Sequence, residues 1–268
     1  MILPTTPKEP DLRPESFKWL FMAQQGMGKS SLLASVPNIL IVDPDKGCRA
    51  LPGYVADVTN WQDCLELVRL LKKDKATTPY SWIGIDLLNI IYDYCSEYVC
   101  AQLGIKHPSD SDHGKAWSRI TQDFAHWIRD MGNLGLPIMA TCHVNTTEIT
   151  VKSRKFTRYI PAFVGGGARS AYQRVLENFD IIGYLAFDIT VEAPVKDVRT
   201  AADPNIHLIN VGPAQKIEPT DARVIHFQPS QYWEGEDTSR QLPAKVTLPE
   251  DWSQDWDCIL EAWGSEGK

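Results

Sequence analysis

Between residues 17 and 144 short apolar runs alternate with stretches of helical periodicity, and this alternation restricts the fold more than any other property of the chain. FKWLFMA (17–23) is an apolar run that ends at a glycine-containing turn, and KSSLLASV follows it with helical spacing and no breaker. NILIVD (38–43) lacks the polar alternation of a half-exposed strand and reads as a strand buried on both faces, closed by a turn at PDKG. Asn60 to Lys73 places Trp61, Cys64, Leu65, Val68 and Leu71 on one helical face, and SWIGID (81–86) is a strand with an acid at its end. A helix is expected from about Leu87 to Leu103 and another from Lys115 to Asn133, separated by the polar IKHPSDSDHG; the strand LPIMATCHV (136–144) ends the series. Strands joined by helices require right-handed crossovers. The expectation is therefore an α/β fold, a mostly parallel sheet with helices on both faces and ligands at the carboxyl ends of its strands.

Past residue 145 the pattern changes to a basic, glycine-containing loop (145–170), a helix near 168–178, a strand around Asp180 to Phe187 and shorter β-like pieces such as RVIHFQP (223–229). The 268 residues sit near the upper limit for one hydrophobic core. They divide into a flexible N-terminal arm (1–15), a core (16–190) and a β-containing C-terminal extension (191–268) whose last helix packs through Trp252, Trp256 and Trp263. No apolar run approaches the roughly 20 residues that span a bilayer, and the proline- and charge-rich arm has no apolar signal segment; a cytoplasmic protein with no membrane partner is expected. Cys48, Cys64, Cys95, Cys100, Cys142 and Cys258 are scattered without a CxxC pair, which favours reduced core residues over a zinc site or a disulfide framework. The formal charge of -7 argues against a surface coated in basic residues and leaves nucleic-acid binding to be decided by local clusters.

The strand ends carry the chemistry. Binding phosphates needs converging backbone N–H groups, a lysine that reaches the β and γ groups, and a hydroxyl for magnesium at a helix start. Ala23, Gln24, Gln25, Gly26, Met27, Gly28, Lys29, Ser30 and Ser31 supply that set, with Lys29 on the phosphates and Ser30 on Mg²⁺. The full pattern has glycine where Ala23 stands, and alanine does not reach a positive φ cheaply. A chance match in a capped helix is the alternative, and the flanking strand and helix weigh against it. Asp86 is placed to hold Mg²⁺ through its water shell, or to cap the helix that follows. Asp43 and Asp45 flank Pro44 at another strand end; Asp45 is the candidate for orienting the attacking water, and a solvated turn is the competing reading. His143, with Asn145 as second candidate, could contact the γ-phosphate, or be an ordinary strand-end histidine.

FKWLFMAQQGMGKSSL, ILIVDPDKG, SWIGID and LGLPIMATCH, in that order, resemble the RecA-like P-loop ATPases, and more closely the phage nucleotide-binding proteins of that class, which include single-strand annealing proteins and recombinases. The resemblance implies a RecA-like core with ATP and Mg²⁺ as cofactors, Asp45 in place of the family's usual glutamate base, His143 as the polar sensor, and a following loop that contacts single-stranded DNA. The composition of that loop suits such contacts, since Lys152, Arg154, Lys155, Phe156, Arg158, Tyr159 and Arg169 combine cations with stacking rings around Gly165, Gly166 and Gly167. EGEDTSRQLP departs from the family's lysine-acid-arginine cluster and offers Glu236, Asp237 and Arg240, which puts filament-type activation between subunits in doubt. The implied function is a Mg-dependent ATPase, slowed by the short Asp45 side chain or stimulated by DNA, that binds single-stranded DNA in phage-type recombination or replication. A homo-oligomer is expected, with a single-strand-binding or replication protein as partner. The alternative is a nucleotide-gated module that regulates a protein partner, as in helicase loading, with little turnover. A small-molecule kinase would need an arginine-rich lid that this sequence does not offer.

Overall fold

A computed structural model describes residues 3, 5–74, 77–151, 154–163, 170–190, 218–230 and 232–265. β1 (Trp19–Ala23) leads into α1 (Lys29–Ala34), then β2 (Ile39–Asp43), β3 (Tyr54–Asp57), α2 (Trp61–Asp74), β4 (Trp82–Ile85), α3 (Leu88–Leu103) and α4 (Lys115–Gly132). There follow β5 (Ile138–Val151), β6 (Arg154–Pro161), α5 (Ala171–Leu176), β7 (Ile181–Thr190), β8 (Glu218–His226), β9 (Glu236–Asp237), β10 (Lys245–Thr247) and α6 (Asp255–Ala262).

The sheet order is β10-β8-β7-β1-β5-β4-β2-β3, with β6 on the distal part of β5 and β9 on β7. From β7 to β3 neighbouring strands run parallel, and β8, β9 and β10 add antiparallel strands beyond β7. This is the α/β architecture that the alternation dictates. β1 shows why its sequence is apolar throughout: Trp19, Phe21 and Ala23 face a core closed by Leu32 and Leu33 of α1 and Trp256 and Ile259 of α6, while Leu20 and Met22 face one built with α2, α3, α4 and α5. With both faces covered, alternation disappears. Truncating Phe21 would remove about 3–5 kcal/mol. Among the described residues no helix is long and apolar enough to cross a membrane.

Three local readings change. β3 is an additional strand whose exposed edge gave no apolar run to find. The segment expected as a loop from residue 145 is a β-hairpin: β5 continues past the sheet and pairs antiparallel with β6, from Val144 opposite Pro161 to Val151 opposite Arg154. The arm is fastened at its end, where the indole of Trp263 donates to the Leu12 carbonyl (2.9 Å) and that of Trp19 to the Pro14 carbonyl (3.0 Å). Trp256 and Trp263 pack edge-on and tilted against Trp19 at 5.3 and 5.4 Å between ring centres.

Candidate nucleotide site

Ala23 is the last residue of β1, paired on one side with His143 of β5 and on the other with Leu185 of β7. It stands in extended backbone, so a glycine at this position is not required for a positive φ. The turn is made further on, where Gly26 and Gly28 have φ of 81° and 86°. A Cβ at Gly28 would also lie 2.9 Å from the Arg223 guanidinium, which would have to shift to admit it. Gln24, Gln25 and Gly26 are exposed, Met27 is buried in the α1-side core, and Ser31 is half-buried in α1.

Lys29 is buried, and its ammonium donates to the carbonyls of Gln24 (2.8 Å) and Ala23 (3.3 Å). Burial lowers its pKa, against the opposing pull of Asp86. Two buried or half-buried hydroxyls converge on the Asp86 carboxylate: Ser30 donates to one oxygen and Thr141 of β5 to the other. The Cys48 thiol lies 3.6 Å from the oxygen that Ser30 uses. The helix after Asp86 takes Leu87 as its N-cap with no side-chain cap, so the capping role open to Asp86 in the sequence is not the one it performs.

Asp43 and Asp45 separate cleanly. Asp43 is fully buried and accepts the N–H groups of Gly47 (3.1 Å) and Cys48 (2.8 Å), closing the loop after β2. Asp45 is exposed, accepts the Gly47 N–H (3.1 Å), and has its pKa raised chiefly by desolvation and then by Asp43. Tyr94 holds this loop from α3 by donating to the Pro44 carbonyl (2.9 Å). The backbone N–H of His143 donates to Asn89 (3.1 Å), and burial, followed by the charge of Lys29, lowers the imidazole pKa, which keeps the ring neutral. Asn145 is exposed and lies opposite Ile160 in the hairpin.

The structure thus gathers Ala23, Lys29, Ser30, Asp86 and His143 around one point, with Asp45 at its rim as one of the charges acting on Lys29. The basic set does not gather in the same way. Lys155 is exposed and pairs with Glu148 at 3.2 Å. Arg158 and Tyr159, expected as phosphate and base contacts, are occupied inside the protein: Arg158 pairs with Glu234 at 2.8 Å, and Tyr159 stacks on Tyr184 with ring centres 5.3 Å apart. Arg154 and Phe156 belong to β6, with only their backbone described; Lys152, Gly165, Gly166, Gly167 and Arg169 lie outside the described residues.

Sequence reasoning passed over Thr141, Cys48 and the Arg223–Asp255 pair. Thr141 was readable as a polar residue in an apolar strand. Arg223, which donates to both Asp255 oxygens (2.9 and 2.7 Å) and to the Pro249 carbonyl (3.0 Å), belongs to no motif.

A glycine-turned loop with a buried lysine, followed by a serine that meets an acid at the end of β4, two strands away, defines a P-loop nucleotide-binding protein. A family model described as AAA domain matches residues 15–239, and the chain belongs to that family. A search of curated proteins finds no match. Among solved structures, the chain is similar to a KaiC-like protein from the hyperthermophilic archaeon Pyrococcus horikoshii, with a TM-score of 0.44, 9% identity, and coverage of 90% of this chain and 88% of that one.

Proposed function

We propose that this chain binds Mg-ATP at the loop from Ala23 to Ser31, hydrolyses it to ADP and phosphate, and transmits the state of the site to single-stranded DNA held at the β5–β6 hairpin. The observation that carries the ATP reading is the set of groups converging on Asp86, together with a buried Lys29 whose ammonium is held at the phosphate loop by the carbonyls of Ala23 and Gln24. The donor set fits a small hard cation, since Ser30 and Asp86 bring a hydroxyl and a carboxylate to one place. Magnesium, when bound, neutralises charge on the phosphate oxygens. Lys29 would then bind the terminal phosphates, neutral His143 would donate a hydrogen bond to one of their oxygens, and Asp45 would orient the water.

Support for the coupling is that β5 is one continuous strand from Ile138 to Val151, carrying Thr141 at the site, His143 beside Lys29, and then the hairpin. A change in how His143 is held can reach the hairpin without crossing a hinge. The setting this reading implies is phage-type recombination or replication, with a homo-oligomer and a single-strand-binding or replication protein as partner. A nucleotide-gated module with little turnover is favoured by one observation: Asp45 is bent onto its own loop at Gly47.

Phosphate release from Mg-ATP, with and without single-stranded DNA, separates the two. Lys29→Ala is expected to lower release at least about a hundredfold, and DNA to raise only the Lys29-dependent rate. ATP binding without release, indifferent to DNA, would replace the ATPase with the gated module.

A further inference from the structure

A cavity of about 330 Å³ borders the phosphate loop on the β7 side of β1, whereas Asp86 lies on the β4 side. Gln24 and Met27 of the loop form one wall, and Tyr184, Phe187, His226 and Trp233 form much of the rest. Gln24 belongs to both places, since its carbonyl receives the Lys29 ammonium. A nucleotide with its terminal phosphates at Lys29, Ser30 and Asp86 therefore has this cavity on the side toward which its other end can run.

The walls suit a flat ring. Tyr184 and Trp233 lie nearly parallel, with centres 5.5 Å apart and planes at 18°. His226 lies 4.4 Å from Trp233 at 32°, and Tyr159 backs Tyr184 at 23°. Phe187 stands at the mouth, 46% exposed, a large apolar side chain in water. Burial, aided by Lys245, lowers the His226 pKa and leaves it a neutral ring. Two of the polar groups are committed elsewhere: the Trp233 indole donates to the Gln228 carbonyl (3.1 Å), and Asp188 pairs with Lys245 (3.0 Å). Most of this lining is ring face, on which a base stacks.

We propose that the base of the bound nucleoside triphosphate seats in this cavity against Phe187 and the Tyr184–Trp233 wall, so that purines are distinguished from pyrimidines more strongly than adenine from guanine. The proposal rests on the phosphate-loop reading and adds the part of the ligand that the loop does not touch. Stacking area sets the order, because every base offers a ring face and the purines offer the larger one.

Calorimetric titration of the full chain with Mg²⁺ and ATP, GTP, CTP or inorganic tripolyphosphate tests it, on the wild type and on Phe187→Ala, Trp233→Leu and Lys29→Ala. Phe187 is exposed enough for truncation to spare the core, and a thermal melt checks both aromatic variants. ATP and GTP are expected to bind within about threefold of each other, and CTP about tenfold more weakly. Phe187→Ala should weaken ATP about five- to tenfold while leaving tripolyphosphate unchanged. Unchanged ATP affinity in both folded aromatic variants, with loss in Lys29→Ala, overturns the base cavity and leaves the phosphate loop standing. If neither ATP nor tripolyphosphate binds the wild type, the phosphate-loop reading fails and the cavity fails with it. If Phe187→Ala weakens an oligo-dT strand but not ATP, the cavity takes a nucleic-acid base and the proposal is overturned.

Discussion

Two ion pairs of this chain share their chemistry and differ in their surroundings. Arg223 and Asp255 meet beside Gly28, with side chains 14% and 0% exposed; Lys155 and Glu148 meet on the hairpin, 75% and 70% exposed. The first ties the C-terminal segment to the back of the phosphate loop, because β8 supplies Arg223 and α6 begins at Asp255. In the second, both groups keep their water. The contrast separates charges held for position from charges that decorate a surface. The phosphate-loop side of the molecule is built from the first kind: Lys29, Asp43 and Asp86 are all buried and all bonded.

The largest effect should come from breaking the buried pair on one side. Burial lifts the Asp255 carboxyl above its ordinary pKa even with Arg223 beside it, so the pair as a whole adds little over an apolar one. Removing Asp255 alone is different, because the guanidinium stays behind uncompensated. Asp255→Ala is expected to lower unfolding free energy in urea by about 3–5 kcal/mol, and the added Arg223→Ala to recover part of it. A loss below about 1 kcal/mol, the range of an exposed pair, would erase the contrast.

Histidine sharpens it through pH. His226 and His143 both have pKa values depressed mainly by burial. A depressed histidine contributes stability that is present above its unfolded pKa, about 6.5, and lost as pH falls through the folded value, because the unfolded chain takes the proton first. On His226 burial and Lys245 act against Asp188, and the depression wins. Raised Asp45 and Asp255 act with opposite sign, holding protons in the folded state that the unfolded chain has released, and they do so nearer the carboxylate range. Urea midpoints should therefore fall between pH 7.5 and 5.5, and His226→Gln should flatten that fall. An unchanged slope in the variant would mean that His226 is solvated in the folded protein.

The same division decides what was legible in the sequence. The strands of the core announce themselves because each must be apolar on both faces, and GMGKS and the acid of SWIGID lie at their ends, where geometry leaves little choice. Position along a strand is information that a sequence carries. Partnership across the fold is not. KFTRY reads as an open basic face, yet Arg158 finds Glu234 and Tyr159 finds Tyr184, both distant in sequence. β3 carries no signal because an exposed edge strand needs no apolar pattern, and the hairpin reads as a loop because its polar residues are those of a strand with solvent on its sides. Arg223 belongs to no motif for the same reason: its meaning lies in Asp255 and in the missing side chain of Gly28.

The smallest effect is expected at Lys155 and Glu148. At 3.2 Å and with both side chains largely in water, their attraction is screened by solvent and salt, and holding two long side chains together costs entropy. A double-mutant cycle with Lys155→Ala and Glu148→Ala should return a coupling of about 0.2–0.5 kcal/mol at low salt, shrinking as salt is added. Weak coupling is also what a nucleic-acid contact requires of Lys155, since a lysine firmly committed to a carboxylate has less to offer a phosphate. Oligonucleotide binding measured on the same variants connects the two properties. If DNA is held at the hairpin, Lys155→Ala weakens it and lowers the salt slope by about one, while Glu148→Ala strengthens it. A coupling above about 1 kcal/mol, with DNA affinity unmoved by either substitution, would make the pair a fastening of the hairpin and place any DNA contact elsewhere.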